Sequence, residues 1–138
     1  MTKKKIFSIK SNPKNLQTLL QGKINPLLTQ AGFDEKIKAS ILVALGEGIT
    51  NCIRHSYQCE PDHTIRITFE ETPSEVTFRI RDYGQPVDLA RIKAKENPKL
   101  PPENPGGLGV YFMKTIMDTL EYNSCHSKGN ELVLTKKK

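Results

Sequence analysis

Glu47 and Asn51 stand four residues apart in Leu45-Gly46-Glu47-Gly48-Ile49-Thr50-Asn51, a stretch with helical apolar spacing. A four-residue step on a helix puts both side chains on one face, one turn apart. The carboxylate can take a proton from a hydroxyl or a water, and the amide oxygen suits Mg²⁺, a hard cation that keeps several of its waters. His55 continues the same line one turn further on. A second cluster, Arg81-Asp82-Tyr83-Gly84, closes a strand-like run. There the Asp82 carboxylate can accept from an exocyclic amine such as that of adenine, and Gly84 has no Cβ to keep a planar ring away from the backbone. The third, Asn104-Pro105-Gly106-Gly107-Leu108-Gly109, opens a helix. Its glycines expose N–H groups at the positive end of the helix dipole, which together make an anion site.

Each cluster also has a plainer reading. Glu and Asn at helical spacing serve as solvated surface residues, Asp-x-Gly makes a turn after a strand, and a glycine pair opens a mobile loop. The glycine cluster is not a P-loop, because no Lys-Ser/Thr follows it, and its spacing is not that of the dinucleotide fingerprint. Cys52, His55, Cys59 and His63 form a C-x2-H-x3-C-x3-H series that could ligate zinc, but a continuous helix would turn Cys52 into its apolar stripe. No Gly-x-Ser-x-Gly elbow is present for serine-nucleophile chemistry.

Composition narrows the classes further. The chain has 138 residues, enough for one domain with a real core. Its formal charge of +6 resides in the tails: apart from Lys3–Lys5 and Lys136–Lys138, 15 basic residues face 15 acidic ones. That distribution argues for solubilising ends and against a nucleic-acid face. No apolar run is long enough to span a bilayer, and no signal-peptide pattern follows the basic start, so a cytoplasmic protein that inserts in no membrane is expected. Three cysteines in that setting are expected as free thiols.

The elements that must position these clusters follow from periodicity. A β run over 4–10 leads to Ser11-Asn12-Pro13, a helix start. Leu16, Leu19, Leu20, Ile24, Leu27 and Leu28 then carry a helix to Ala31, with Pro26 placed to bend it. Gly32 stops it and Asp34 caps the next helix, 35–57, whose stripe is Ile37, Ile41, Ala44, Leu45, Gly48, Ile49 and Cys52. Alternating runs at 64–70 and 75–81 make a hairpin, 89–95 a short helix, 97–107 an irregular loop and 108–118 a helix. Two last strands turn around Lys128-Gly129-Asn130. Grouped helices and mainly antiparallel strands predict an α+β fold, with helices on one face of a mixed sheet.

In order, Glu47-x3-Asn51, Asp82-x-Gly84 and Gly106-Gly107-Leu108-Gly109 resemble the N, G1 and G2 boxes of the GHKL ATPase superfamily. Leu45–Tyr57, with its His-x-Tyr ending, is similar to the N box of the anti-sigma-factor serine/threonine kinase branch, and Gly106–Asp118 to its G2 box and following helix. The resemblance covers nearly the whole chain. It implies a single 1–138 ATP-binding domain, a two-layer α/β sandwich with its helices on one face of a mixed, mainly antiparallel sheet, and an ATP lid at 96–107. By the resemblance, Glu47 is the general base, Asn51 the Mg²⁺ ligand, Asp82 and Gly84 the adenine contacts, and Gly106, Gly107, Leu108 and Gly109 the phosphate wrap. ATP and Mg²⁺ are the implied cofactors. The implied partners are an anti-anti-sigma STAS protein, a sigma factor and a second copy of the chain in a homodimer. A non-catalytic, nucleotide-gated binding module shares all three motifs. Two departures stand out: Pro86 occupies the place of a second G1 glycine, and Gly129-Asn130 stands where the family carries a late threonine.

Overall fold

The computed structural model describes residues 2–95, 108–125 and 128–138. The strands are β1 (Lys3–Lys10), β2 (Thr64–Glu71), β3 (Glu75–Asp82), β4 (Thr119–Cys125) and β5 (Gly129–Lys137). They form one sheet in the order β1-β2-β3-β5-β4. The expectation was a mixed, mainly antiparallel sheet; all four neighbouring pairs are antiparallel.

The helical runs fall where periodicity puts them, but their winding changes. The first consists of α1 (Lys14–Leu19), a π segment (Leu20–Ile24) and α2 (Asn25–Gln30). Pro26 has no N–H for the carbonyl four residues back. Just before it the winding loosens, and the Asn25 N–H bonds Leu20 O, five residues back. Gly32, at φ +95°, closes α2: its N–H reaches Thr29 O, and the Phe33 N–H reaches Leu28 O. Those two bonds make a Schellman cap.

Asp34 caps α3 (Glu35–Asn51) by accepting from the Ile37 N–H at 2.9 Å. Ile37, read into the apolar stripe, is exposed, and Lys38 takes the buried place beside it. The Lys38 ammonium reaches Thr29 Oγ1 at 2.9 Å and Glu35 Oε1 at 2.8 Å, tying α3 to α2. After Asn51 the helix opens into a second π turn, Cys52–Ser56, where the Tyr57 N–H bonds Cys52 O. Two short helices follow later, α4 (Leu89–Lys95) and α5 (Gly109–Ile116).

The core lies between the helices and one face of the sheet. Ile65, Ile67 and Phe69 of β2, Val76, Phe78 and Ile80 of β3, and Leu132 and Leu134 of β5 are buried at alternate positions, with Ile41, Leu45 and Ile49 of α3 and Met113 of α5 in the same cluster. Gly48 explains how α3 lies so close to the strands. A Cβ there would stand 2.9 Å from Leu132 Cδ2 and 3.0 Å from Ile80 Cδ1, whereas one on Gly46 would meet only Leu20 Cδ1 at 3.7 Å. Of the two glycines flanking Glu47, only Gly48 is demanded by packing.

Candidate functional site

The end of α3, its π turn, the end of β3, the 85–88 segment, α4, α5 and β4 enclose a cleft of about 310 Å³. Asn51, Cys52, His55, Ser56, Asp82, Pro86, Val87, Asp88, Ile92, Val110 and Tyr122 line it. Among residues predicted from sequence, Asn51 and Asp82 both line this space.

Asp82 lies at the bottom, 2% exposed. A carboxylate there is costly unless donors surround it. Its Oδ1 accepts from the Gly84 N–H at 3.0 Å and from Asn130 Nδ2 at 2.8 Å, and its Oδ2 accepts from the Ser56 hydroxyl at 2.9 Å. The π turn accounts for Ser56. Wider winding after Asn51 brings its hydroxyl onto the carboxylate, while His55 lines the cleft beside it.

Gly84 has a packing reason besides the one spacing suggested. A Cβ at Gly84 would run into the backbone carbonyl of Ser56, and the Gln85 N–H bonds that same carbonyl at 3.0 Å. Its lack of a side chain lets β3 close against the π turn. Tyr57 reinforces the junction: its hydroxyl donates to Thr64 O at 2.6 Å and accepts from the Tyr83 N–H at 2.6 Å.

Gly129 and Asn130, expected in the turn, belong to β5, where Asn130 pairs with Asp82 of β3. Gly129 has φ +86°, and a Cβ there would collide with Asp82 O. This approach carries Asn130 into the buried cluster.

Burial raises the Cys52 thiol well above its ordinary pKa, and the neighbouring Asp82 adds to the rise. The Tyr122 phenol is also raised, first by burial, while a side-chain hydrogen bond from Asn51 works the other way.

Glu47 does not line the cleft. It borders a neighbouring groove between α1 and α3 and reaches over the start of α5. A Cβ on Gly109 would stand 2.6 Å from Glu47 Oε2. The first and third sequence clusters therefore meet at Glu47 and Gly109. Leu108 caps α5 at that point. Gly106, Gly107 and the 96–107 lid lie outside the described residues. Arg54 is exposed and outside the cleft lining.

The zinc alternative fails on geometry. Cys52 is buried and Cys59 exposed. His63 pairs with Glu60 and stacks on Tyr57. Among the described residues no group of three His, Cys, Asp or Glu could hold a metal. Mg²⁺ fits the site differently, since it takes most of its ligands from phosphate and water and needs only one or two oxygens from protein. ATP fits the donor set: a buried carboxylate for the base, apolar walls at Val87, Ile92 and Val110, and the open end of α5. Among the described residues no helix is long and apolar enough to cross a membrane.

The α+β sandwich, with Asn51 and a buried Asp82 lining one cleft, is of the ATPase-domain type, and the chain belongs to the histidine kinase-like ATPase domain family, whose model matches residues 9–136. Within it, the chain is similar to proteins of the anti-sigma kinase branch. It is 26% identical over 118 residues to the serine-protein kinase RsbW of Listeria innocua, covering 82% of this chain and 74% of the relative. It is 27% identical over 106 residues to the RsbW of Oceanobacillus iheyensis, covering 73% and 67%. With an anti-sigma F factor of Clostridium perfringens it shares 28% identity over 100 residues, 70% of each chain.

Ser56, Tyr122 and Asn130 were missed from sequence. The departure at Gly129-Asn130 was the one visible signal for the last.

Proposed function

We propose that the protein is a serine/threonine kinase that binds Mg-ATP and phosphorylates an anti-anti-sigma partner of the STAS type, regulating transcription by partner switching. The observation that supports this reading is the contact of Glu47 with Gly109: a carboxylate stands at the start of the helix that would receive the phosphates. ATP with Mg²⁺ supplies the transferable phosphoryl group and a cation to neutralise its charge.

The chain's own residues have distinct tasks. Asp82 accepts from the base amine, with Gly84 keeping the strand end in place. Asn51 offers its amide oxygen to the cation. Gly106, Gly107, Leu108 and Gly109 present backbone N–H groups to anionic oxygens, and residues 96–107 cover them. Glu47 takes the proton of the attacking serine or threonine hydroxyl, worth about 10²–10⁴-fold in rate. A sigma factor is the second partner, the chain acts as a homodimer, and the compartment is the cytoplasm. The names of the relatives, serine-protein kinase and anti-sigma F factor, support this assignment of partner class.

The test is incubation with Mg-ATP and candidate STAS partners, read by mass spectrometry of the partner. Phosphoserine or phosphothreonine on one of them is the expected result. ATP bound yet unconsumed with every partner would replace the kinase by a nucleotide-gated binding module.

A further inference from the structure

Asn130 is 2% exposed, and its single amide touches three separate parts of the chain. Nδ2 donates to Asp82 Oδ1 at 2.8 Å and to Gln85 O at 2.7 Å, and approaches Ser56 Oγ at 3.4 Å. Oδ1 accepts from the Val87 N–H at 3.0 Å. The contacts at Gln85 and Val87 bracket Pro86, which has no N–H to offer. An amide that gives to one flanking carbonyl and takes from the next N–H does what a neighbouring strand would do. It holds Pro86 as a wall of the cleft.

The same amide fixes Asp82. An ionised carboxylate offers about four lone-pair positions. Asn130, Gly84 and Ser56 occupy three of them. The carboxylate itself lines the cleft, so its remaining acceptor capacity is what a bound ring amine would meet. An acceptor held in this way welcomes an exocyclic N–H and repels a carbonyl oxygen in its place.

We propose that Asn130 is a positioning residue that sets base selectivity in the cleft, favouring a 6-amino purine over a 6-oxo purine by clamping Asp82 and the 85–87 segment together. This rests on the nucleotide reading of the site. The test is titration calorimetry with ATP and with inosine triphosphate, which carries a carbonyl where ATP carries the amine.

Wild type is expected to bind ATP at least about tenfold more tightly than inosine triphosphate, because a carbonyl there sets one acceptor against another with no proton between them. In Asn130→Ala the ratio is expected to fall to about threefold or less, through loss of ATP affinity, as the buried acceptor loses its fixed geometry. An equal loss for both nucleotides would assign Asn130 a merely structural role and overturn the proposal, as would an unchanged ratio. Should Asn130→Ala not fold, Asn130→Thr keeps a hydroxyl for Asp82 but cannot bridge Gln85 and Val87. An intermediate ratio supports the clamp and a wild-type ratio overturns it. Wild type binding both nucleotides equally would overturn the selectivity and leave the nucleotide reading standing, whereas wild type binding neither would remove both.

Discussion

Glu47 and Gly109 are in direct contact across the junction of α3 and α5: no Cβ fits on Gly109 without moving the Glu47 carboxylate, which would lie 2.6 Å from it. The neighbour is the far end of a flexible side chain, so Gly109→Ala should displace Glu47 rather than unfold the domain. Phosphotransfer is expected to fall at least about tenfold, with Glu47→Ala falling about 10²–10⁴-fold, the usual worth of a general base. ATP affinity in Glu47→Ala should stay close to wild type. Single-turnover transfer and calorimetry on the two variants check this, and loss of ATP binding in Glu47→Ala would make Glu47 structural.

Gly46 and Gly48 flank the same residue and should respond in opposite directions. Alanine at 48 would press on Leu132 and Ile80, and overpacking of a buried site costs about 1–3 kcal/mol. Alanine at 46 meets only ordinary contact with Leu20 and should gain about 0.5–1 kcal/mol from helix propensity. Urea unfolding of the two variants measures both. A Gly48→Ala protein as stable as wild type would show that α3 can retreat from the sheet.

Tyr122→Phe removes the hydroxyl that interacts with the Asn51 side chain. The Asn51 side chain is then held less firmly in the cleft lining. The Mg²⁺ concentration giving half-maximal ATP binding should rise about threefold to tenfold, the effect of losing one hydrogen bond of roughly 1 kcal/mol. ATP binding without Mg²⁺ should be unaffected. Equal weakening with and without the cation would count against Asn51 as the metal ligand.

The raised pKa of Cys52 makes stability depend on alkaline pH. Burial, and then Asp82, keeps the folded thiol protonated where the unfolded one ionises. The contribution is complete below the ordinary thiol pKa of about 8.5, and drains away as pH rises above it because the unfolded chain then binds fewer protons. Cys52→Ala should therefore show a flatter Tm profile than wild type between about pH 8 and 10, by the same linkage. The raised phenols of Tyr57 and Tyr122 add a further fall in both proteins at higher pH. Parallel profiles across that window would show that Cys52 contributes nothing.

Periodicity in the sequence was enough to locate all five strands and the helical runs, since alternation and helical spacing record which side chains must leave water. It also marked Glu47, Asn51, Asp82 and the glycines, because local spacing and backbone freedom are visible residue by residue. Three things were decided only by tertiary structure. The π turn after Asn51 depends on where the chain must go next, and it brings Ser56 onto Asp82. The register of β5 against β3 pairs Asn130 with Asp82, although the two are 48 residues apart in the chain. The meeting of Glu47 and Gly109 depends on two helices docking on one sheet face. Short-range patterns carry no information about such meetings, because a buried polar contact is settled by which distant donor satisfies it, and that is known only once the strands are in register and the helices packed.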